Sequence, residues 1–127
     1  MSRVQNDEGI SMATILIVDD DADIRMALRE SLTDAGHSVC EAVDGEQAVE
    51  EAGVYQPNAV ILDITMPGID GFETLRELKA QPSTFEIPVL MLSGRSGLDA
   101  RERARVLGAF DYIEKPWMDG EVQLRTE

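Results

Sequence analysis

The sequence predicts an α/β domain: a doubly wound, five-stranded parallel sheet with helices on both faces and strand order 2-1-3-4-5. Three observations carry this. Five short apolar segments, rich in β-branched residues, alternate with stretches of helical spacing, a pattern that calls for crossover connections and parallel strands. The first, third and fourth segments are apolar almost throughout, as strands covered on both faces are. The second and fifth mix in Glu41, Asp111 and Glu114, as edge strands do.

The elements follow in order. Residues 1–12 are polar and mixed in charge and read as a flexible lead-in, with Met12 an alternative start. Thr14 to Val18 is the first strand. Asp21 caps a helix whose stripe is Ile24, Ala27, Leu28, Ser31, Leu32 and Ala35, stopped by Gly36. Ser38 to Ala42 is the second strand. Asp44 with Gln47 resembles a capping box for a helix carrying Ala48, Val49 and Ala52, with Pro57 at its end. Ala59 to Leu62 is the third strand. Pro67 and Gly68 break the chain, and Asp70 with Glu73 opens a helix bearing Phe72, Leu75 and Leu78. Pro88 to Leu92 is the fourth strand. A charged helix runs from about Leu98 to Leu107 and ends at Gly108. Phe110 to Glu114 is the fifth strand, and a short helix is expected after Trp117. There is no internal repeat or low-complexity tract. The inferred order is the flavodoxin-like one, in which a ligand sits past the carboxyl ends of the strands, near the switch between strands one and three.

Composition narrows the function. The 127 residues suit one domain, and a hydrophobic content of 43% supports a packed core rather than a disordered chain. No apolar run approaches the ~20 residues of a membrane span, and the N-terminus lacks the apolar stretch of a secretory signal. Cys40 is the single cysteine, so neither an internal disulfide nor a cysteine-based zinc site is expected, and a reducing cytoplasm is the natural compartment. The formal net charge is −14, from 11 basic and 25 acidic residues, which disfavours direct nucleic-acid binding through the general surface.

The chemistry lies just past the strands. Asp19 and Asp20 follow strand one, Asp63 follows strand three, Ser93 follows strand four, and Lys115 follows strand five. A parallel sheet gathers all five at one end. Three close carboxylates repel unless protonated or bound to a cation, and an all-oxygen pocket with room for water and phosphate suits Mg²⁺. An aspartate beside such a metal can attack a phosphoryl group, with the metal, Lys115 and Ser93 sharing the charge of the phosphoryl oxygens. Taken singly, each feature has a plainer role: Asp-Asp as a helix cap, Lys-Pro as a loop, Ser-Gly as a turn. The conjunction at four strand ends is what points to chemistry.

These segments carry a resemblance: Ile15-Leu16-Ile17-Val18-Asp19-Asp20-Asp21, Leu62-Asp63-Ile64-Thr65-Met66-Pro67-Gly68-Ile69-Asp70-Gly71, Met91-Leu92-Ser93-Gly94 and Tyr112-Ile113-Glu114-Lys115-Pro116-Trp117. Over about residues 14–118 the chain resembles the receiver domain family of two-component response regulators. The resemblance implies that Asp63 is the phosphoacceptor. It implies that Asp19 and Asp20 hold Mg²⁺ with the backbone carbonyl of Thr65 as a further ligand. It also implies that Ser93 and Tyr112 are the switch hydroxyl and switch aromatic, and that Lys115 binds the phosphate. The implied phosphodonor is a histidine kinase or a histidine phosphotransfer protein. No turnover of an external substrate is expected.

Two departures from the family pattern stand out. Only 11 residues follow Pro116, with Val122 and Leu124 the main apolar ones, where the family has a longer final helix. The fourth helix is crowded with Arg101, Arg103 and Arg105, after Arg95. The segment from Arg95 to Lys115 is therefore the expected output face, meeting a downstream protein or a second phosphorylated copy. A solvated helix with internal Glu–Arg pairs is the plainer alternative. His37, after Gly36, reads as a solvent-exposed loop residue, and Cys40 as a packed strand residue. Three rivals are weaker. A phosphohydrolase of the aspartate type commonly carries its nucleophile after strand one and a cap domain. A module that had lost phosphorylation would lack Asp63 or Lys115. A nucleotide binder would need a glycine-rich loop after strand one. The 127 residues are expected to hold no output domain of their own, so a stand-alone regulator and a receiver taken from a longer protein are both consistent with the sequence.

Overall fold

A computed structural model of the chain describes residues 13–66, 68–94 and 98–115. The lead-in over residues 1–12, Arg95 and the segment from Pro116 onward lie outside the described residues. Within them the order is β1 (Thr14–Val18), α1 (Ala22–Asp34), β2 (Ser38–Ala42), α2 (Gly45–Tyr55), β3 (Ala59–Asp63), α3 (Gly71–Ala80), β4 (Val89–Ser93), α4 (Leu98–Val106) and β5 (Asp111–Glu114). All pairings are parallel, and the sheet order is β2-β1-β3-β4-β5, as the sequence predicts.

Alternation along the strands builds two cores from one sheet. Leu16, Val18, Val60, Leu62, Val89 and Met91 point to the side covered by α2, α3 and α4, where Ala48, Ala52, Phe72, Leu75, Leu78 and Ala104 meet them. Ile15, Ile17, Ala59, Ile61, Leu90, Leu92 and Ile113 point to the other side, against Leu28 and Leu32 of α1. This is why β1, β3 and β4 are apolar at successive positions: each residue has a core to enter, and fully burying such a side chain contributes roughly 1.5–3 kcal/mol. The edge strand β2 is only partly buried, and Cys40 on it is half-buried against the larger core.

The predicted caps form. Asp21 accepts from the N–H groups of Asp23 (2.9 Å) and Ile24 (3.4 Å). Asp44 accepts from Gln47 N–H (2.8 Å), while the Gln47 side chain reaches back to Val43 N–H (2.7 Å). Asp70 accepts from Glu73 N–H (2.9 Å), but the Glu73 carboxylate turns to Arg76 rather than back to the cap. The observed boundaries differ slightly from expectation: Asp63 and Ser93 close their strands rather than follow them, and Phe110 lies outside β5, 66% exposed.

The reading of His37 is corrected. It is buried, at 4% exposure, rather than a solvated loop residue. Gly36 adopts φ +98° and donates to Thr33 O, and His37 N–H donates to Leu32 O. That pair of bonds is a Schellman closure, which folds the second residue past the helix back against its last turn.

One glycine fixes the geometry at the head of the sheet. Gly71 opens α3 and donates its N–H to Ile64 O at 2.7 Å. A Cβ there would stand 2.3 Å from Asp63 O and 2.6 Å from Ile64 Cα, both backbone atoms with no rotamer to escape through. Helix α3 therefore abuts the end of β3 only because residue 71 has no side chain. Gly71→Ala is expected to destabilise the fold by about 1–3 kcal/mol through overpacking. Chemical denaturation reads this as a lowered midpoint; a midpoint equal to wild type would mean that the loop has room to move.

Candidate functional site

The strand ends bring the predicted acidic residues together. Asp19 follows β1 directly, and its N–H donates to Ala42 O at 3.2 Å, continuing the β1–β2 ladder by one step. Its Oδ1 accepts from Asp21 N–H (3.0 Å), so the same turn that caps α1 aims the Asp19 carboxylate. Asp63 ends β3, the neighbouring strand. Both are buried, at 2% and 5% exposure, while Asp20 is exposed at the rim. Carboxylate oxygens of all three lie within 4.8 Å of one another.

Lys115 bridges the pair. Its N–H donates to Ser93 O at 2.7 Å, which ties the residue past β5 to the end of β4. Its Nζ lies 3.1 Å from Asp19 Oδ2 and 3.1 Å from Asp63 Oδ1. Ser93 itself is buried at the end of β4, at 1% exposure. Thr65 is exposed in the loop two residues past Asp63. Tyr112 is buried, with the guanidinium carbon of Arg101 4.9 Å from the centre of its ring. The sequence-predicted set thus converges at one end of the sheet, with Tyr112 one layer below on β5.

The electrostatics follow from burial. Desolvation, then the charges of Asp19 and Asp20, push the Asp63 carboxyl above its ordinary value of 3.8, and the Lys115 contact only partly offsets them. For Lys115, burial acts to lower its affinity for a proton, but the bonds to Asp63 and Asp19 outweigh it and the ammonium is held above its ordinary range. One ammonium among three carboxylates leaves an excess of negative charge in a pocket made of hard oxygen donors. Such a site suits a small divalent cation.

Two contacts were not anticipated. Gly71 packs on the Asp63 carbonyl, and Arg25 of α1 donates to the Asp19 carbonyl at 2.8 Å. Periodicity and strand-end position carry no signal for either, because both act on backbone atoms. The arginines of α4 are also less available than their crowding suggested. Arg105 pairs with Glu102 on its own helix, and Arg103 lies over the Phe72 ring at 4.2 Å. Arg101 pairs with Glu114 and donates to Tyr112 O. The internal Glu–Arg pairing of the plainer alternative is present, at Arg105.

Comparison with known proteins decides the family. The family model for the response regulator receiver domain matches residues 15–127. The chain belongs to the response regulator receiver domain family. It is 37% identical over 121 residues to the transcriptional regulatory protein PrrA of Mycobacterium tuberculosis, covering 95% of this chain and 51% of that one. It is 40% identical over 103 residues to the response regulator MprA of Mycolicibacterium vanbaalenii, covering 81% and 44%. The chain therefore spans about half the length of these relatives. Among solved structures, the chemotaxis protein CheY4 of Vibrio cholerae superposes with TM-score 0.83 at 32% identity, covering 91% of this chain and 96% of that one. The receiver domain of the sensor histidine kinase PA1611 of Pseudomonas aeruginosa, solved with a magnesium ion in its active-site cleft, superposes with TM-score 0.83 at 28% identity, covering 91% and 95%.

In this receiver domain the raised Asp63 carboxyl has a consequence for stability. Because the folded value lies above the unfolded one, ionising Asp63 works against the fold. The cost is absent in acid, sets in as pH rises through 3.8, and is complete once the raised folded value is passed. Asp63→Asn removes the charge while keeping an oxygen for Lys115. Without divalent cations, the substitution is expected to raise Tm at neutral pH, with the gain vanishing below about pH 4. Thermal scans across pH test this; a lower Tm at neutral pH, or a gain that persists in acid, would contradict it.

Proposed function

We propose that this receiver domain, residues 13–127 after a short lead-in, is a Mg²⁺-dependent phosphoacceptor. The observation that supports the reading best is the buried Asp63 carboxylate sharing Lys115 with Asp19 while Asp20 stands beside them. The Asp63 carboxylate attacks the phosphorus of a phosphohistidine on a histidine kinase or histidine phosphotransfer protein. A phosphorus–oxygen bond forms, the phosphorus–nitrogen bond breaks, and the imidazole leaves and regains a proton from solvent. Lys115 and the Ser93 hydroxyl receive the phosphoryl oxygens. Asp19, Asp20, Asp63 and the Thr65 carbonyl would hold Mg²⁺, which supplies charge neutralisation at those oxygens. The domain acts on itself and turns over no external substrate.

Ser93 sits between the phosphoryl site and β5, so a hydroxyl drawn toward new oxygens loosens the space next to Tyr112. The ring is already inward in this structure, so phosphorylation would favour an arrangement the unmodified chain can reach. Residues 95–115 form the output face, toward a downstream protein or a second phosphorylated copy. Where a longer regulator carries such a domain, we assign any contact with DNA to the rest of that protein, since this chain carries a net charge of −14. Among the described residues no helix is long and apolar enough to cross a membrane. We place the exchange in the cytoplasm, the compartment suggested by the lone Cys40.

Incubation with Mg²⁺ and a small acyl phosphate is expected to add one phosphate by intact mass, and Asp63→Asn is expected to abolish it. Mg²⁺ should also raise Tm by linkage, and less so in Asp20→Asn. Full labelling of Asp63→Asn would move the acceptor elsewhere. A melting curve indifferent to millimolar Mg²⁺ would remove the metal from the mechanism.

A further inference from the structure

Arg25 lies on the first turn of α1, beside the acidic pocket but outside it. Its Nη1 donates to the backbone carbonyl of Asp19 at 2.8 Å, and its Nε donates to Glu41 Oε1 on β2 at 2.9 Å. One turn further on, Arg29 Nε donates to the other oxygen of Glu41 at 2.6 Å. The side chains of Arg25 and Glu41 are 17% and 29% exposed, against 46% for Arg29, so the inner half of this triad is shielded and the outer half is not.

With Arg25 in place, every polar group of Asp19 is held. The N–H is bound to Ala42 O, the carbonyl receives Arg25, Oδ1 receives Asp21 N–H and Oδ2 receives Lys115. The carbonyl matters most, because it belongs to the peptide that joins Asp19 to Asp20. Fixing that plane fixes the backbone from which both carboxylates project.

We propose that Arg25, oriented by Glu41, is a positioning residue for the cation site: it locks the Asp19–Asp20 peptide so that both carboxylates face Asp63 before the metal arrives. The inference deepens the phosphoacceptor reading and rests on it. Groups behind the ligands of a metal commonly set its affinity by fixing ligand orientation. Glu41 does two things here. It aims the guanidinium, and it offsets the positive charge that would otherwise stand behind a cation site.

Charge and position predict opposite signs. If Arg25 acted mainly through its charge, removing it would tighten Mg²⁺ binding, because a cation would leave the neighbourhood of another. If it positions the peptide, removing it weakens binding. The plainer role, a staple between α1 and β2, predicts lost stability with unchanged metal affinity.

The test is a Mg²⁺ titration of the full chain, followed by the shift in Tm, for wild type, Arg25→Ala, Arg25→Lys, Glu41→Gln and Arg29→Ala. Labelling by a small acyl phosphate at saturating Mg²⁺ gives a second readout. Arg25→Ala is expected to weaken apparent Mg²⁺ affinity roughly tenfold. Arg25→Lys, which keeps the charge and one donor, should recover part of the loss, and Glu41→Gln should fall in the same direction. Arg29→Ala breaks a bond to the same Glu41 without touching Asp19 and should bind Mg²⁺ as wild type does. Equal affinity in Arg25→Ala and Arg29→Ala, or tighter binding in Arg25→Ala, overturns the proposal. Should Arg25→Ala not fold, Arg25→Lys decides: weaker binding than Arg29→Ala supports positioning, and equal binding overturns it. A wild type that responds to neither Mg²⁺ nor phosphodonor overturns the parent reading and the brace with it, recognisable because all five proteins then behave alike.

Discussion

The bridge from Lys115 to Asp19 and Asp63 is the contact around which the head of the sheet is organised. A parallel sheet points every strand the same way, so whatever follows the strands is gathered at one end whether or not it is compatible. Here that end receives two buried carboxylates on adjacent strands, β1 and β3, neither able to pass its charge to water. Lys115 arrives from β5, on the far side of β4, and its own N–H is anchored on Ser93 O. The lysine side chain thus spans from beyond β4 to the acids at the ends of β1 and β3. Ser93 closes β4, a central strand buried throughout, so the hydroxyl expected to respond stands at the same end of the sheet as the residue that neutralises the acids.

Much of this was legible in the sequence because two simple periodicities coincide. Runs such as Ile15 to Val18 have no polar face, which requires cover on both sides, and the contrast with Glu41, Asp111 and Glu114 sorted centre from edge. Once strand order is known, position past a strand is itself a spatial coordinate, so Asp19, Asp63, Ser93 and Lys115 could be placed together from residue numbers alone. The residues that escaped act through the backbone. Gly71 is informative only for the side chain it lacks. Arg25 flanks the apolar stripe of α1, where a charged residue reads as a rim position, and one of its partners is a carbonyl. His37 was misplaced because a lone polar residue after glycine suggests solvent, whereas the Schellman closure turns that position inward. For the α4 arginines the sequence offers an output face or internal Glu–Arg pairs, but it does not show that one arginine stacks on Phe72 and another on Tyr112.

Those stacks bear on how a change at Asp63 could travel. Arg101 holds β5 three ways, over the Tyr112 ring, on the Tyr112 carbonyl and through Glu114. Among the described residues of α4, Ala104 is buried, Ala100 packs partly against the same core and Val106 is 70% exposed, whereas α3 buries Phe72, Leu75 and Leu78. The apolar grip of α4 thus rests on small side chains, next to Tyr112.

Under the phosphoacceptor reading, the charge balance also explains why metal and phosphoryl group belong together. The resting pocket already holds more carboxylate than ammonium, and burial first, then the neighbouring carboxylates, raise the Asp63 carboxyl. Phosphorylation replaces one carboxylate charge with a group carrying up to about two. Lys115 alone, already shared between two acids, cannot absorb that increase. A divalent cation is needed for the product as much as for the transfer, and the Ser93 hydroxyl is a neutral donor at the same end of the sheet for the new phosphoryl oxygens. The force that moves the switch is then the same excess of negative charge that makes the site a poor stabiliser of the fold at rest.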